Sequence, residues 1–416
     1  MENIDLSQIK KIFFIGIGGI GISALAKMAI SRGIEVGGLN DDSSPKTLDP
    51  LRELGAEIFL LEDFDVMPIA DMYVYSDAWI YRGPEILACA RSTDRPVLSY
   101  FEALGIFAKD YKVVAIAGTH GKTTTTAMVA EILVDAGLDP TVVVGSFVKK
   151  FGSNFRKGDG EYLVVEADEY NRHFLNFHPF VTGVTNIEAD HLDCYKDLAD
   201  IHSAFDKLYV QSTKVITEYS KYLDEVPPLL VPGLHNRMDA ALALAIADHL
   251  SIPMETAKNS LSRFAGTWRR LEKKGETAEG VTIYDDYAHH PTEVRASLQA
   301  LRELYPKGTK NIVVLFQPHL YSRTKALFKD FAECFAGADR VYLLPIYFAR
   351  ETQDDTISSE ILAEAIDLNG VTAYAFPDFE SAAEVIKALN LGKNDVFVTM
   401  GAGEAYKVAD QVFDFE

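Results

Sequence analysis

The stretch Val113-Val114-Ala115-Ile116-Ala117-Gly118-Thr119-His120-Gly121-Lys122-Thr123-Thr124-Thr125-Thr126 constrains this chain more than any other. Its five leading apolar residues, two valines and an isoleucine among them, read as a buried parallel strand. A tight Gly-Thr-His-Gly turn follows, then Lys122, four threonines and a helical pattern from Ala127 to Ala136 that stops at Gly137. Strand, glycine turn, Lys-Thr and helix make the layout of a phosphate-binding loop. Backbone N–H groups and the helix N-terminus face an anion, Lys122 neutralises phosphate charge, and the Thr123 hydroxyl can ligate Mg²⁺. The candidate triphosphate contacts are Gly118, Thr119, His120, Gly121, Lys122, Thr123 and Thr124. The spacing is the shorter G-x-x-G-K-T; the longer G-x-x-x-x-G-K-[ST] would need glycine at position 116, which is Ile116. The bland alternative is an ordinary glycine turn before a helix, and a nucleoside triphosphate site is the better reading.

Chain-wide properties narrow the field. A chain of 416 residues is expected to form two or three domains, and 48% hydrophobic residues suffice for ordinary cores. A formal charge of −21 argues against nucleic acid or an anionic membrane as partner. Cys89, Cys194 and Cys334 are scattered, odd in number and lack a C-x-x-C spacing, as expected of reduced thiols in a cytosol. The start of the chain has no signal-peptide pattern, and no apolar run reaches the ~18 residues a bilayer span needs. A cytoplasmic protein is expected. Nothing in the sequence chooses between a monomer and a homodimer.

Before the phosphate loop lies a second glycine turn. Ile12 to Ile15 reads as a strand, followed by Gly16-Ile17-Gly18-Gly19-Ile20-Gly21, a helix from Ile22 to Ser31 and a strand from Glu35 to Leu39 ending at Asp41-Asp42. This G-x-G-x-x-G in a βαβ unit opens the possibility of an NAD-dependent dehydrogenase. The glycines themselves only let backbone approach a diphosphate, and they do not say whose. Lys109 to Lys112 is a plausible linker.

Beyond the loop, Glu161 to Glu166 reads as a strand ending in Glu166-Ala167-Asp168-Glu169. Phe180 to Thr185 reads as another, ending in Asn186-Ile187-Glu188-Ala189-Asp190-His191-Leu192-Asp193. Ligands of parallel sheets sit at the carboxyl ends of strands, so both clusters land where the phosphate loop opens and suit a divalent cation. Pro232-Gly233-Leu234-His235-Asn236 precedes a helix expected over Asp239–Leu250, and Phe264 to Glu272 reads as a domain junction. A third α/β region follows. One strand, Val281 to Tyr284, leads into Asp285-Asp286-Tyr287-Ala288-His289-His290 and a helix that Pro291 can open; another, Asn311 to Phe316, leads into Gln317 to Thr324. Zinc is not expected, because His289 and His290 are adjacent rather than four apart on a helix.

Taken together, these motifs are similar, in order and over nearly the whole chain, to those of the Mur ligase family. They are the two glycine turns, Glu166-Ala-Asp-Glu, Thr185-Asn-Ile-Glu-Ala-Asp-His-Leu-Asp, Gly233-Leu-His-Asn, Trp268-Arg-Arg-Leu-Glu, Asp285-Asp-Tyr-Ala-His-His-Pro-Thr-Glu and Phe316-Gln-Pro-His-Leu-Tyr-Ser-Arg-Thr. The resemblance implies an α/β protein of three domains. These are a Rossmann-like UDP-sugar domain (1–108), a central ATP-binding parallel sheet (109–266), and a Rossmann-like domain for the incoming amino acid (267–416). It implies ATP-dependent amide formation between the carboxylate of UDP-N-acetylmuramate and L-alanine, with Mg²⁺, in peptidoglycan precursor synthesis. A relative that recycles a murein tripeptide is the alternative, suggested by Glu169-Tyr170.

By motif match Gly16, Gly18, Gly19, Ile20 and Gly21 would cradle the UDP diphosphate. Thr123, Glu166 and His191 would ligate metal; His235 and Asn236 would hold adenine, Arg270 the phosphates and Asp286 the ribose. Tyr287, His289 and Arg323 would lie near the amino acid and the acyl phosphate. Two departures from the family pattern stand out. Asp239 replaces a customary asparagine, and the segment between His191 and His235 is short, which implies a central domain trimmed at its outer strands.

Overall fold

The computed structural model describes residues 4–42, 45–191, 194–348 and 351–415. They form three sheets. The first is all parallel, with β1 (Lys11–Ile15), β2 (Glu35–Asn40), β3 (Glu57–Leu60), β4 (Met72–Tyr75) and β5 (Val97–Ser99) in the order β3-β2-β1-β4-β5. The second holds β6 (Lys112–Ala117), β7 (Thr141–Val148), β8 (Ser153–Arg156), β9 (Tyr162–Glu166), β10 (Val181–Val184) and β11 (Lys214–Ile216), in the order β11-β10-β6-β9-β7-β8. Only β8 runs antiparallel there, as a hairpin on β7. The third holds β12 (Glu272–Glu276), β13 (Thr282–Asp286), β14 (Asn311–Phe316), β15 (Arg340–Leu343), β16 (Thr372–Ala375) and β17 (Asp395–Met400). Its order is β12-β13-β17-β14-β15-β16, with β12 antiparallel at the edge. The phosphate loop leaves β6, the central strand of its sheet, between β10 and β9, which is where a parallel sheet opens a ligand crevice.

The chain packs into two compact units, Met1–Pro228 with Met238–Ala265, and Leu229–Arg237 with Gly266–Glu416. The first two sheets share the first unit. The expected linker before β6 is a single 3-10 turn, Ala108–Asp110, and one apolar cluster runs through Phe14, Leu25 and Phe107 into Val113, Val143 and Leu163. A buried polar link reinforces it. Lys27 donates to Asn154 Oδ1 (2.8 Å), while Asn154 Nδ2 donates to Ile20 O (2.6 Å) and Ser23 Oγ (2.9 Å), tying the β8 hairpin to the helix Ile20–Ser31. We keep 1–108, 109–266 and 267–416 as a proposed division by sheet; residues Leu229–Arg237 depart from it by packing with the second unit.

Three local expectations need adjustment. The helix after the phosphate loop begins at Lys122 rather than Ala127. β-branched threonines favour helices poorly, but here all four are buried and Thr126 Oγ1 donates back to Lys122 O (2.7 Å). The helix expected from Asp239 spans Leu234–His249, so His235 and Asn236 sit in its first turn rather than before it. β13 continues to Asp286, which places Asp285 and Asp286 on opposite faces of one strand.

Candidate active site

The phosphate loop is shaped by glycine where no other residue fits. Gly118 (φ 128°) and Gly121 (φ 83°) lie in the left-handed region, and a Cβ on them would collide with Thr185 Oγ1 and Asp239 Oδ1. The loop is strapped to the segment after β10. Thr119 N donates to Asn186 O, His120 N to Asn186 Oδ1 and Glu188 N to Thr119 Oγ1, each at 2.9 Å. The helix it feeds has no acidic residue in its first turn and no side chain capping it, an N-terminus suited to an anion. Lys122 Nζ donates to Gly118 O (2.6 Å), Thr119 O (3.1 Å) and Glu169 Oε2 (2.8 Å). Burial works against its charge, but Glu169 and Asp168 outweigh that and hold the ammonium above its ordinary range.

The acidic cluster lies alongside. Glu166, at the end of β9, accepts from Thr123 Oγ1 (3.1 Å) and from Gly145 N (2.6 Å). Asp168, Glu169 and His191 bring one ligand atom each within 4.8 Å of one another. His191 Nε2 lies 3.6 Å from Glu169 Oε1, and its buried Nδ1 finds no hydrogen-bond partner. Its backbone is left-handed (φ 54°), a strain that clusters at functional sites. Burial, with Asp168 beside it, pushes the Glu169 carboxyl up against the pull of Lys122. Carboxylate oxygens, a hydroxyl and an orphaned imidazole nitrogen fit a hard divalent cation. Of the three expected ligands, Thr123 and Glu166 touch, while His191 faces Glu169. Asp168 and Glu169 stood in the same Glu-Ala-Asp-Glu run without an assigned role. Leu192 and Asp193 lie outside the described residues.

A cavity of about 350 Å³ joins this cluster to the first glycine turn. Gly19, Ile20 and Gly21 line it together with Lys122, Glu166 and Asp168, and so do Tyr100, Phe101, Tyr170 and His173. Within the turn, Gly16 N and Ile17 N donate to Leu39 O (2.7 and 3.0 Å) and Gly18 N to Asn40 Oδ1 (3.0 Å). A Cβ on Gly16 would collide with Trp79, and one on Gly18 with Asn40. Gly16 and Gly18 therefore build the turn, and the amides left for an anion are the first ones of the uncapped helix Ile20–Ser31. Asp41, which would serve the ribose of a dinucleotide, is paired with Arg82 at 2.6 Å.

The second unit carries the remaining predicted residues. The two arginines after Trp268 divide their roles. Arg269 is 4% exposed and bonded to Asp285 (2.8 Å), Gly403 O (2.9 Å) and Gly401 O (2.7 Å), while Arg270 is the more open, 3.9 Å from Glu293. Sequence reasoning missed Arg269, because adjacent arginines look alike. Asp286 accepts from Ser297 Oγ, and burial raises its carboxyl to about 6 against the opposing effects of Ser297 and Arg270. The Tyr287 ring lies 5.2 Å from both guanidiniums and 5.4 Å from the His289 ring. His289 Nδ1 is 2.9 Å from Tyr287 O; a carbonyl only accepts, so that nitrogen carries the proton. Arg323 is buried and 3.3 Å from His319 Nδ1. Burial lowers His235 to about 4, keeping it neutral, and Asn236 Nδ2 donates to Pro232 O (2.6 Å).

Parallel sheets opening on a phosphate loop, a lysine paired with the Glu169 carboxylate and a cation-ready cluster define a nucleotide-dependent α/β enzyme. Family models match the chain in three consecutive stretches. They are the Mur ligase family catalytic domain over residues 11–112, the Mur ligase middle domain over 116–225, and the Mur ligase glutamate ligase domain over 269–403. The chain belongs to the Mur ligase family. It is 39% identical to the UDP-N-acetylmuramate–L-alanine ligase of Lachnospira eligens, over 99% of this chain and 100% of that one. It is 37% identical to the protein of that name from Desulfosudis oleivorans, over 96% and 97%. Among solved structures, the UDP-N-acetylmuramate-alanine ligase of Thermotoga maritima superposes with a TM-score of 0.81 at 29% identity, covering 97% of this chain and 98% of its own. A murein peptide ligase from Psychrobacter arcticus gives 0.70 at 21% identity over 97% and 98%, a likeness of fold. The alignment with the Lachnospira relative spans 464 positions against 416 residues here. Between β11 and the helix Leu234–His249 this chain holds one short 3-10 segment, Ser220–Glu225, in agreement with a shortened central region.

Proposed function

We propose that this protein joins L-alanine to the carboxylate of UDP-N-acetylmuramate at the expense of ATP, in cytoplasmic peptidoglycan precursor synthesis. The observation that carries the reading is the cavity, lined both by a helix N-terminus fit for a diphosphate and by Lys122 of the phosphate loop with the acidic residues beside it. The sugar carboxylate attacks the γ-phosphate of ATP, giving an acyl phosphate and ADP. The amine of alanine then attacks the acyl carbon and expels phosphate. Such phosphoryl transfer needs positioning and charge neutralisation more than covalent help. Lys122 would leave Glu169 for the triphosphate. Thr123, Glu166 and His191 would hold Mg²⁺, which supplies further positive charge to the phosphates when bound. From the second unit, His235 and Asn236 are assigned to adenine, Asp286 to ribose, and Arg270 and Arg323 to phosphate charge; His289 is assigned to the amine proton, and Tyr287 closes on the small side chain.

The alanine assignment, against the tripeptide alternative, is supported by the 37–39% identity to relatives bearing the alanine-ligase name. The experiment labels the substrate carboxylate with ¹⁸O. Transfer of label into the released phosphate supports the acyl phosphate, and unlabelled phosphate refutes it.

A further inference from the structure

One residue that lines this cavity belongs to none of the motifs. His173 lies on the segment Tyr170–Asn176, two 3-10 turns joined through left-handed Asn171 (φ 47°) and Arg172 (φ 59°). That unusual backbone is held from outside, since Arg172 donates to Asp200 Oδ1 and Oδ2 (2.8 and 2.9 Å) and its guanidinium sits 4.7 Å from the Tyr195 ring. The result aims the His173 imidazole at two carboxylates from different sheets. Nε2 meets Asp77 Oδ2 at 2.8 Å, on the turn after β4, and Nδ1 meets Asp168 Oδ2 at 3.5 Å, after β9. One face of the ring stacks on Phe101 (4.2 Å, 16° between planes), and the Tyr170 ring stands edge-on to it at 5.7 Å.

A histidine buried only for packing has no reason to place both nitrogens on carboxylates and line a solvent cavity. The imidazole thus links two carboxylates that come from different sheets. The surface it organises has the chemistry of a sugar site. Phe101, Tyr100 and Tyr170 offer ring surface to the C–H faces of a pyranose, and carboxylate oxygens accept hydroxyl protons strongly.

We propose that His173 is a positioning residue for the sugar of the substrate: by bridging Asp77 and Asp168 it holds the Asp77 turn and the Phe101 ring as one wall of the cavity. The proposal rests on the reading of this cavity as the UDP-N-acetylmuramate site. It separates what UDP feels from what the attached sugar feels, because the contacts of His173 run to Asp77, Asp168, Phe101 and Tyr170 rather than to the cradle at Gly19–Gly21.

The test is calorimetric titration of the full chain with UDP-N-acetylmuramate and with UDP alone, for the parent, His173→Gln and Asp77→Asn. Asp77→Asn cuts the bridge without altering the central sheet, so a folding defect in one variant does not silence the test. The expected result is a loss of about tenfold or more for UDP-N-acetylmuramate in either variant, with UDP within about twofold of the parent. The double variant should lose no more than the worse single one, as for two ends of one link. In turnover the KM for the sugar nucleotide should rise while that for ATP stays. Equal losses for both probes would assign His173 to the fold, and no loss in either variant would remove the bridge from recognition; both overturn the proposal. A parent that binds neither probe would overturn the functional reading itself, and the proposal with it.

Discussion

Replacing Arg269 by glutamine separates the two neighbouring arginines. Arg269 and Asp285 are 4% and 2% exposed, 2.8 Å apart, and Asp285 also accepts from Thr399 Oγ1 at 2.7 Å. Glutamine cannot reproduce the charge or the donors to Gly401 O and Gly403 O, so a buried carboxylate is left uncompensated. Breaking such a pair from one side costs about 3–5 kcal/mol. A unit of this size moves by about 2–4 °C per kcal/mol, so its melting transition should fall by roughly 6–20 °C. Arg270, 28% exposed and 3.9 Å from Glu293, is in the class of ion pair worth about 0–1 kcal/mol; Arg270→Gln should therefore melt near the parent yet lose ligation.

The pH dependence has a definite sign. Burial raises the Asp285 carboxyl above its ordinary value even with Arg269 opposing it, and removing Arg269 raises it further. A carboxyl whose folded pKa exceeds its unfolded one destabilises as pH rises through the folded value. The Arg269→Gln deficit should thus be larger at the higher pH and shrink as the pH is lowered. Scanning calorimetry reads the deficit, with hydrogen exchange at Thr282–Asp286 assigning the transition to the second unit. A variant melting within about 2 °C of the parent at the higher pH, or a deficit that grows toward the lower one, would refute the reasoning.

Lys122→Ala should abolish ligation and weaken ATP binding while the first unit stays folded by circular dichroism; near-parental turnover would remove the phosphate-loop assignment. Glu166→Gln and His191→Ala should each raise the Mg²⁺ needed for half-maximal rate by about 10–100-fold. Metal titrations that coincide with the parent's would reduce the cluster to a solvated loop.

Much of the site was legible because phosphate chemistry leaves local marks: Gly118, Gly121, Lys122 and Thr123 lie within six consecutive positions, and the structure needs each glycine for a stated steric reason. Strand ends were legible for the same reason, since β6, β9 and β14 are apolar runs stopped by polar residues. Pairings across the fold left no such mark. Lys27 meets Asn154 across 127 positions, and His173 meets Asp77 across 96 on a backbone with no helical or strand period. The antiparallel β8 and β12 were hidden for another reason: both are short, polar strands at sheet edges, where the apolar alternation that betrays a strand is absent. In the first glycine turn the fingerprint could not show which amides the turn itself consumes, those of Gly16, Ile17 and Gly18.

The most direct measurement offers the protein ATP, Mg²⁺ and UDP-N-acetylmuramate with L-alanine and the L-Ala-γ-D-Glu-diaminopimelate tripeptide in competition, and weighs the product by mass spectrometry. The account predicts a sugar nucleotide heavier by one alanyl residue, with ADP formed in equal amount. A product carrying the tripeptide, or ADP formed with the sugar nucleotide unchanged, would contradict it.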